Sequence, residues 1–246
     1  MQERLSQTLL DNIDLKARAR SREMSEKSLG IEEQSMRIID SEIGPHKYNY
    51  TEWSIVRRVI HATADFDFAK SNSIIFSQNA IESAFQAFKR KRTIVTDVEM
   101  VLSGINKKSL GKIGIKALCN LSNEQVIERA RTSDKTRTAL AMRCSAPALS
   151  EGIAAVGNAP TALSEIISMI REDLVMPALI IGIPVGFVSA VESKAELART
   201  KCEYITNLGR KGGTPVVSSV VNALMLLYID KFLNNPKQSS FGNTRE

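Results

Sequence analysis

Residues 57–65 of the 246-residue chain, with the sequence RRVIHATAD, bring together side chains suited to acid–base chemistry on an anionic ligand. His61 is one of only two histidines, and Arg57 and Asp65 lie four residues before and after it. Histidine is the side chain whose ordinary pKa places proton transfer near neutral pH. Arginine holds carboxylates through paired N–H donors. His61 is therefore the first candidate for a catalytic acid or base, and Arg57 is a candidate for binding an acidic substrate.

A second interpretation of His61 follows from the apolar residues around it. They recur at helical spacing and predict a helix that opens near Thr51 and Glu52. The stripe comprises Trp53, Val56, Val59, Ile60 and Thr63. His61 falls on the flank of this stripe, where a histidine is often a hydrogen-bonded residue at the boundary of the core. Local sequence alone favours this structural interpretation, so the choice depends on the rest of the chain.

Composition argues against several classes of function. Hydrophobic residues make up 43% of the chain and charged residues 24%, which is ordinary for a globular protein. A net charge of +6 favours anionic partners in general. Aromatic residues make up only 5%, which argues against a stacking platform for single-stranded nucleic acid. The densest basic run, residues 89–92, is typical of a helix C-terminus, so no nucleic-acid partner is predicted.

The cysteines and the N-terminal residues bear on location. Three cysteines lie far apart without a CxxC pair, which fits reduced thiols rather than a disulfide framework or a zinc site. Residues 1–28 are polar and contain no apolar core of a signal peptide. The longest apolar run, residues 176–191, is interrupted by proline and glycine and is too short to span a bilayer. We therefore expect a cytoplasmic protein with no membrane partner and no bound metal.

Short β-rich runs alternate with helical patterns along the chain. The strand-like runs are Ser73–Phe76, Thr93–Thr96, Ile113–Leu118, Gly152–Val156, Ala178–Ile183 and Tyr204–Leu208. Besides the helix carrying His61, helical patterns cover Ile31–Ile43, Gln78–Lys89, Asp97–Ser103, Asn123–Arg131, Lys135–Arg143, Thr161–Glu172, Val191–Arg199 and Pro215–Leu233. This alternation predicts an α/β fold with a mainly parallel sheet and helices on both faces, in three layers.

Three glycine-bearing turns follow predicted strands, and parallel sheets bind ligands at the carboxyl ends of their strands. The turns span residues 157–161 (GNAPT), 182–187 (GIPVGF) and 209–215 (GRKGGTP). Thr161 is predicted to cap the helix that follows it. Each turn alone is explained by tight packing, but three at one edge favour a ligand site. None matches GxxxxGK[ST] or GxGxxG, so no nucleotide cofactor is predicted.

An ordered set of motifs identifies a family. The motifs are RRVIHATAD at 57–65, TDVEM at 96–100, GNAPTAL at 157–163, GIPVGFV at 182–188 with ESK at 192–194, and GRKGG at 209–213 with NAL at 222–224. Together they resemble the precorrin-8X methylmutase family, also called precorrin isomerase, from about Ile31 to Leu224. The resemblance implies a flavodoxin-like fold and a homodimer with sites near the subunit interface. It also implies an isomerase of cobalamin biosynthesis that moves a methyl group from C-11 to C-12 of a polycarboxylate corrinoid without any cofactor.

The same resemblance assigns roles to single residues. His61 matches the family's catalytic histidine and is the candidate donor of a proton or hydrogen bond to a ring nitrogen. Ser35 matches a family position near the substrate. Arg137 matches an arginine in a similar TRS-like motif, although Thr138 stands where serine is usual. The predicted substrate-binding residues are Ser35, Arg57, Arg137, Asn158, Thr161, Arg210 and Lys211.

The expected organisation is an N-terminal extension over residues 1–28, a single methylmutase domain over residues 29–233 and a polar tail over residues 234–246. Two other function classes stay open at this stage. One is a non-catalytic tetrapyrrole carrier built on the same pocket, and the other is a nucleotide- or nucleic-acid-binding α/β domain. Whether the substrate carries cobalt also stays open, because the protein would contact the same periphery in both cases.

Overall fold

The computed structural model describes residues 30–71 and 73–234. They fall into two compact units, which are divided between Pro45 and His46. The described part of the first unit contains one helix, α1, over residues 30–43, as the pattern from Ile31 predicted. The predicted extension, residues 1–28, lies outside the described residues, as does the predicted tail apart from Asn234.

The second unit alternates strands and helices. Its helices are α2 (Tyr50–Thr63), α3 (Ala80–Lys89), α4 (Glu99–Gly104), α5 (Lys107–Ile113), α6 (Glu124–Thr132), α7 (Arg137–Cys144), α8 (Ala146–Leu149), α9 (Pro160–Arg171), α10 (Ala190–Leu197) and α11 (Thr214–Tyr228). Its strands are β1 (Ile74–Phe76), β2 (Ile94–Thr96), β3 (Ala117–Leu118), β4 (Ile153–Val156), β5 (Leu179–Gly182) and β6 (Tyr204–Asn207). A 3-10 turn, Phe66–Phe68, follows α2, and a π-helical segment, Ile229–Asn234, continues α11.

The six strands form one sheet in the order β1-β6-β5-β4-β2-β3. The edge strand β1 runs antiparallel to β6, and all other neighbours are parallel. Every residue of β2, β4 and β5 is buried, as expected for parallel strands that are covered on both faces. The predicted α/β class with a mainly parallel sheet is therefore confirmed.

Helices form a layer on each face of the sheet. On one face, α2, α3, α4 and α5 gather around the apolar helix α11, which also contacts β4 and β5. On the other face, α9 packs between α7 and α10 over a core that includes Val95, Val156 and Ile180. Among the described residues, one helix, Thr214–Asn234, is long and apolar enough to cross a membrane by length and composition. More than half of its apolar window is buried inside the fold.

Helix α2 forms as its sequence predicts. Asn49 and Glu52 make a capping box at its N-terminus, and Ala64 ends it in the left-handed conformation with its N–H bonded to the Ile60 carbonyl. The predicted apolar stripe packs into the core, with its members from Trp53 to Ile60 buried. The flank of α2 that carries His61 faces away from this core.

Two predictions about local structure are wrong. Residues 113–118 were expected to form one strand, but Ile113 ends α5, and Gly114 turns the chain in the left-handed conformation before the short strand β3. Thr161 was expected to cap its helix, but α9 begins at Pro160 and its N-cap is Ala159. Proline fits the first helical position because it has no N–H to leave unpaired, so the helix starts earlier.

Candidate active site

Three turns meet at the carboxyl edge of the sheet. We name them turn A (residues 157–159, after β4), turn B (183–189, after β5) and turn C (208–213, after β6). Main-chain hydrogen bonds join turn B to both neighbours, at N···O distances of 3.3, 3.2 and 2.9 Å. These bonds run from Val185 to Gly157, from Gly186 to Arg210 and from Gly213 to Ile183. The expectation that the three glycine-bearing turns share one edge is confirmed.

Two glycines permit this close approach. A Cβ atom at Gly212 would lie 2.3 Å from the carbonyl oxygen of Ile183, and one at Gly157 would lie 3.2 Å from the carbonyl of Gly213. A side chain at either position would push turn C away from its neighbours. The glycines therefore serve the packing of the turns against one another.

The carboxylate of Asp97 holds the backbone of turn A in place. It follows β2 directly, and its fully buried carboxylate accepts hydrogen bonds from the backbone N–H groups of Gly157, Asn158 and Ala159, at 3.1, 2.7 and 2.7 Å. Burial raises the pKa of the Asp97 carboxyl, and the three N–H donors oppose that rise. No role was predicted for Asp97, although an acidic residue directly after an apolar strand was a usable signal.

The N-termini of α7 and α9 come together beside turn A. Thr136 caps α7, and its hydroxyl lies 2.9 Å from that of Thr161 and 3.1 Å from that of Thr138. The hydroxyls of Thr138 and Thr161 are 3.0 Å apart. Arg137, the first residue of α7, is exposed and makes no ion pair within the described residues. The structure thus brings together Arg137, Thr161 and Asn158, which were predicted separately from the sequence.

An ionic cluster around the buried Glu165 holds α7 against α9. Glu165 is only 5% exposed, and its carboxylate accepts hydrogen bonds from Lys135, at 2.6 Å, and from Arg143. Arg143 also binds Glu172 through two N–H···O bonds of 2.9 Å, and this pairing lowers the pKa of Glu172 to about 2. The Lys135–Glu165 pair holds the N-terminus of α7, and the forked Arg143–Glu172 pair holds its C-terminal end, so together they fix the position of α7 and of Arg137 on it.

His61 lies in the last turn of α2 and is exposed. The structural interpretation required a hydrogen-bonded residue at the boundary of the core, yet no described residue of the second unit hydrogen-bonds to the His61 ring. Within the described residues of the second unit, both ring nitrogens are therefore without a hydrogen-bond partner. Arg57, one turn earlier, is half-buried and has interactions within the fold.

Lys211 ties turn C to the chain that leaves α2. Its ammonium donates to Asp65, at 2.8 and 3.1 Å, and to Asp67, at 2.6 Å. Asp65 does not continue α2 beyond His61: it follows the C-cap of α2 and caps the 3-10 turn. The hydrogen bonds to Asp65 and Asp67 raise the pKa of Lys211. A substrate carboxylate at Lys211 would have to compete with both aspartates, so its observed role is to link turn C to the end of α2.

Arg210 and turn B form an exposed surface that is both cationic and apolar. The Arg210 guanidinium lies over the Phe187 ring, 5.5 Å from its centroid, and makes no ion pair within the described residues. Phe187 and Val188 are more than 80% exposed, and Val185 and Leu208 beside them are about half exposed. Exposed apolar groups gathered around a cation are typical of a binding surface for a flat ligand with an acidic rim or for another protein.

The comparisons with known proteins agree with one another. A family model described as precorrin-8X methylmutase matches residues 30–227. The chain belongs to the precorrin-8X methylmutase family. A cobalt-precorrin-8 methylmutase of Leptospira interrogans is 44% identical over 214 residues, which cover 84% of this chain and 96% of the relative. One of Priestia megaterium is 42% identical over 197 residues, which cover 80% and 87%.

A solved structure supports the same assignment at the level of the fold. The precorrin-8x methyl mutase of Thermus thermophilus matches with a TM-score of 0.76 at 37% identity, over 82% of this chain and 96% of that one. Methylmutases are isomerases, so the predicted class of enzyme, an isomerase of cobalamin biosynthesis, is confirmed along with the predicted family.

The one predicted site residue outside the second unit is Ser35. Ser35 lies in α1 of the first unit, where its hydroxyl donates to the Ile31 carbonyl at 2.8 Å, and its role near the substrate stays a prediction. A groove of about 790 Å³ opens between α9 and α10, and none of the predicted site residues lines it. Within the described residues, no group of three His, Cys, Asp or Glu side chains converges to hold a metal ion.

Proposed function

We propose that the chain converts precorrin-8X or cobalt-precorrin-8 into hydrogenobyrinate or cobyrinate by moving a methyl group from C-11 to C-12. Family membership supports this reaction, because the family model spans residues 30–227. The observation that favours a specific site is the exposed His61 ring, which has no hydrogen-bond partner among the described residues of the second unit and stands four residues before the Asp65–Lys211 link to turn C.

The proposed step is balanced within the substrate itself. The bond from the methyl carbon to C-11 breaks, the bond to C-12 forms, and no electron or atom leaves the macrocycle. His61 donates a proton or hydrogen bond to a ring nitrogen, which draws electron density toward that nitrogen, and the proton returns to His61 or solvent afterwards. No nucleophile on the protein is required, and the task of the other residues is to hold the ring in one orientation.

Substrate carboxylates are the proposed partners of the cations around the edge. Arg137 and Arg210 are exposed and unpaired among the described residues, so each can form a charge-assisted hydrogen bond. Asn158 and Thr161 are exposed beside them and would bind the ring's side chains. Ser35, Arg57 and Lys211 remain proposed substrate contacts on the strength of the family resemblance.

We further propose a homodimer, as the resemblance implies, and a cytoplasmic location, which the three separated cysteines fit as reduced thiols. The exposed apolar side chains of turn B and Leu208 support a covered edge, because single chains rarely leave such a patch open. A second copy that approached this edge would exclude water from the macrocycle and strengthen the electrostatic contacts to it.

His61→Ala tests the catalytic role, and His46→Ala is the matched control. His46 is the other histidine. Its ring stacks on that of Trp53, with the ring centroids 4.0 Å apart, and Trp53 lies at the opposite end of α2 from His61. General acid–base groups contribute about 10²- to 10⁴-fold, so turnover of His61→Ala should fall on that scale while His46→Ala stays near wild type. The absorption spectrum of the corrinoid follows conversion directly, and titration of its absorbance reports binding.

Each outcome of this experiment decides between candidates. Near wild-type conversion by a folded His61→Ala variant would show that His61 is only a residue at the boundary of the core. Tight binding by the wild type without multiple turnover would favour the carrier hypothesis. His61→Asn should keep much of the binding and still fail to turn over, because the ring is held mainly by its shape and its peripheral carboxylates.

A further inference from the structure

Lys194 is a buried cation beneath turn C. It lies in α10, it is 0% exposed, and its ammonium donates to the Asn207 side-chain oxygen at 3.1 Å and to the Lys211 carbonyl at 2.8 Å. No carboxylate among the described residues pairs with it. Burial alone lowers the pKa of Lys194 to about 8. A buried charge without a counter-ion is unfavourable, and an apolar side chain of the same length would fill the space at a smaller cost.

The groups that Lys194 contacts control the path of turn C. Asn207 ends β6, and its side-chain NH₂ group donates a hydrogen bond to the same Lys211 carbonyl at 3.0 Å. That carbonyl therefore has two donors inside the protein, while the side chain of Lys211 is held outside by Asp65 and Asp67. Arg210 comes one residue earlier, and its carbonyl accepts the N–H of Gly186 from turn B. The main chain around Arg210 is thus fixed from two sides.

We propose that Lys194 is a positioning residue, whose buried ammonium anchors the Lys211 carbonyl and so sets the direction of Arg210 and the link from turn C to the end of α2. Lys194 does not reach solvent, so it acts on the substrate only through Arg210 and Lys211. Its effect on catalysis rests on the proposed function, but its effect on turn C does not. This role explains the lysine of the ESK motif at 192–194. The Lys194 side chain is long enough for its ammonium to reach turn C from α10.

The first test needs no substrate. Lys194→Met keeps the length of the side chain but removes its charge and its hydrogen bonds to Asn207 and Lys211. The control is Lys89→Met, which removes an exposed lysine at the end of α3. In Lys194→Met, amide hydrogen exchange in residues 208–213 should speed up at least about tenfold relative to wild type, because the turn opens more often. Exchange in Lys89→Met should match wild type. Unchanged exchange in a folded Lys194→Met variant would overturn the proposal.

The second test asks whether Lys194 acts through Arg210. Lys194→Met and Arg210→Ala should each raise KM about tenfold, and the double variant should raise it little further, because both changes remove the same contact. The kcat of Lys194→Met should change less than its KM. If the KM of the double variant instead rises by the product of the two single-variant factors, Lys194 acts independently of Arg210 and the proposal is overturned. If Lys194→Met does not fold, Lys194→Gln, which keeps one amide donor without the charge, is subjected to both measurements with the same expectations.

Failure of this inference can be told apart from failure of the proposed function. Wild-type protein that never converts the corrinoid would refute the function and leave the exchange test in force. Wild-type protein that converts it, together with a Lys194→Met variant whose exchange and KM are unchanged, would refute the positioning role alone.

Discussion

Asp97→Asn replaces one buried carboxylate oxygen with an amide NH₂ group and should loosen turn A. The wild-type carboxylate accepts Gly157 N–H on one oxygen and both Asn158 N–H and Ala159 N–H on the other. An asparagine can keep its oxygen toward the latter pair. Its NH₂ then faces the N–H of Gly157, and that buried donor is left without an acceptor.

The size of the effect follows from two opposing contributions. A buried donor without a partner costs about 1–3 kcal/mol, and the two remaining bonds weaken because their acceptor is no longer charged. Loss of the charge itself is favourable, since burial raises the pKa of Asp97 and so disfavours the carboxylate. We expect the unpaired donor to dominate, with a net loss of about 1–2 kcal/mol in the free energy of unfolding.

Urea denaturation measures this loss, and Glu99→Gln is the control because Glu99 is an exposed acid two residues away. Hydrogen exchange should also speed up at the amides of residues 157–159, and corrinoid binding should weaken because Asn158 and the start of α9 lose their anchor. An Asp97→Asn variant within about 0.5 kcal/mol of wild type, with unchanged exchange in turn A, would refute this account of Asp97.

Arg137→Ala and Arg210→Ala should each weaken corrinoid binding about ten- to a hundredfold, for the loss of about 1.5–3 kcal/mol, and less at high salt because both side chains are exposed. Calorimetric titration that gives unchanged affinity for both variants would remove them from the site. The pKa of Lys194 is about 8 in the folded chain against an ordinary 10.5, so the unfolded chain binds more protons between these values and stability rises with pH. The free energy of unfolding of wild type minus that of Lys194→Met should therefore increase by about 2–3 kcal/mol from pH 7 to pH 10, and a constant difference in denaturation experiments would contradict this. Light scattering at micromolar concentration should give the mass of a dimer, and a monomer mass would contradict the proposed homodimer.

The architecture was predictable because its signals are local. Strands such as β4 and β5 are apolar runs bounded by glycine or proline, and α2 carries both a capping box and an apolar stripe. The error at residues 113–118 arose where a local signal misled: Ile113 and Ile115 suggested a strand, but Ile113 belongs to the end of α5. Short helices of one or two turns, such as α5 and α8, show too little periodicity to be predicted from one sequence.

The residues of the site could be predicted from the sequence only where they belong to a recognisable motif. His61 and the three turns could be found, but the contacts that place them join residues distant in the chain. Asp97 reaches Gly157 across 60 residues, and Lys211 reaches Asp65 across 146. No pattern within a single element reports such a pair. For this reason the sequence predicted Lys211 only as a substrate contact, and its pairing with Asp65 and Asp67 was found only in the structure.

The pairing of Lys211 with two aspartates reduces the number of cations at this edge that can attract an anionic ligand. A cation that is already bound to two carboxylates adds little net field, so the positive charge offered to a polycarboxylate at this edge comes mainly from Arg137 near turn A and Arg210 on turn C. Arg210 lies over Phe187, which holds its guanidinium beside an apolar surface instead of leaving it free in solvent. Such an arrangement suits a ligand with a flat apolar ring and an acidic rim. A small free anion would gain nothing from Phe187 or Val188, so truncation of either side chain should weaken corrinoid binding and leave the weak binding of a simple dicarboxylate unchanged.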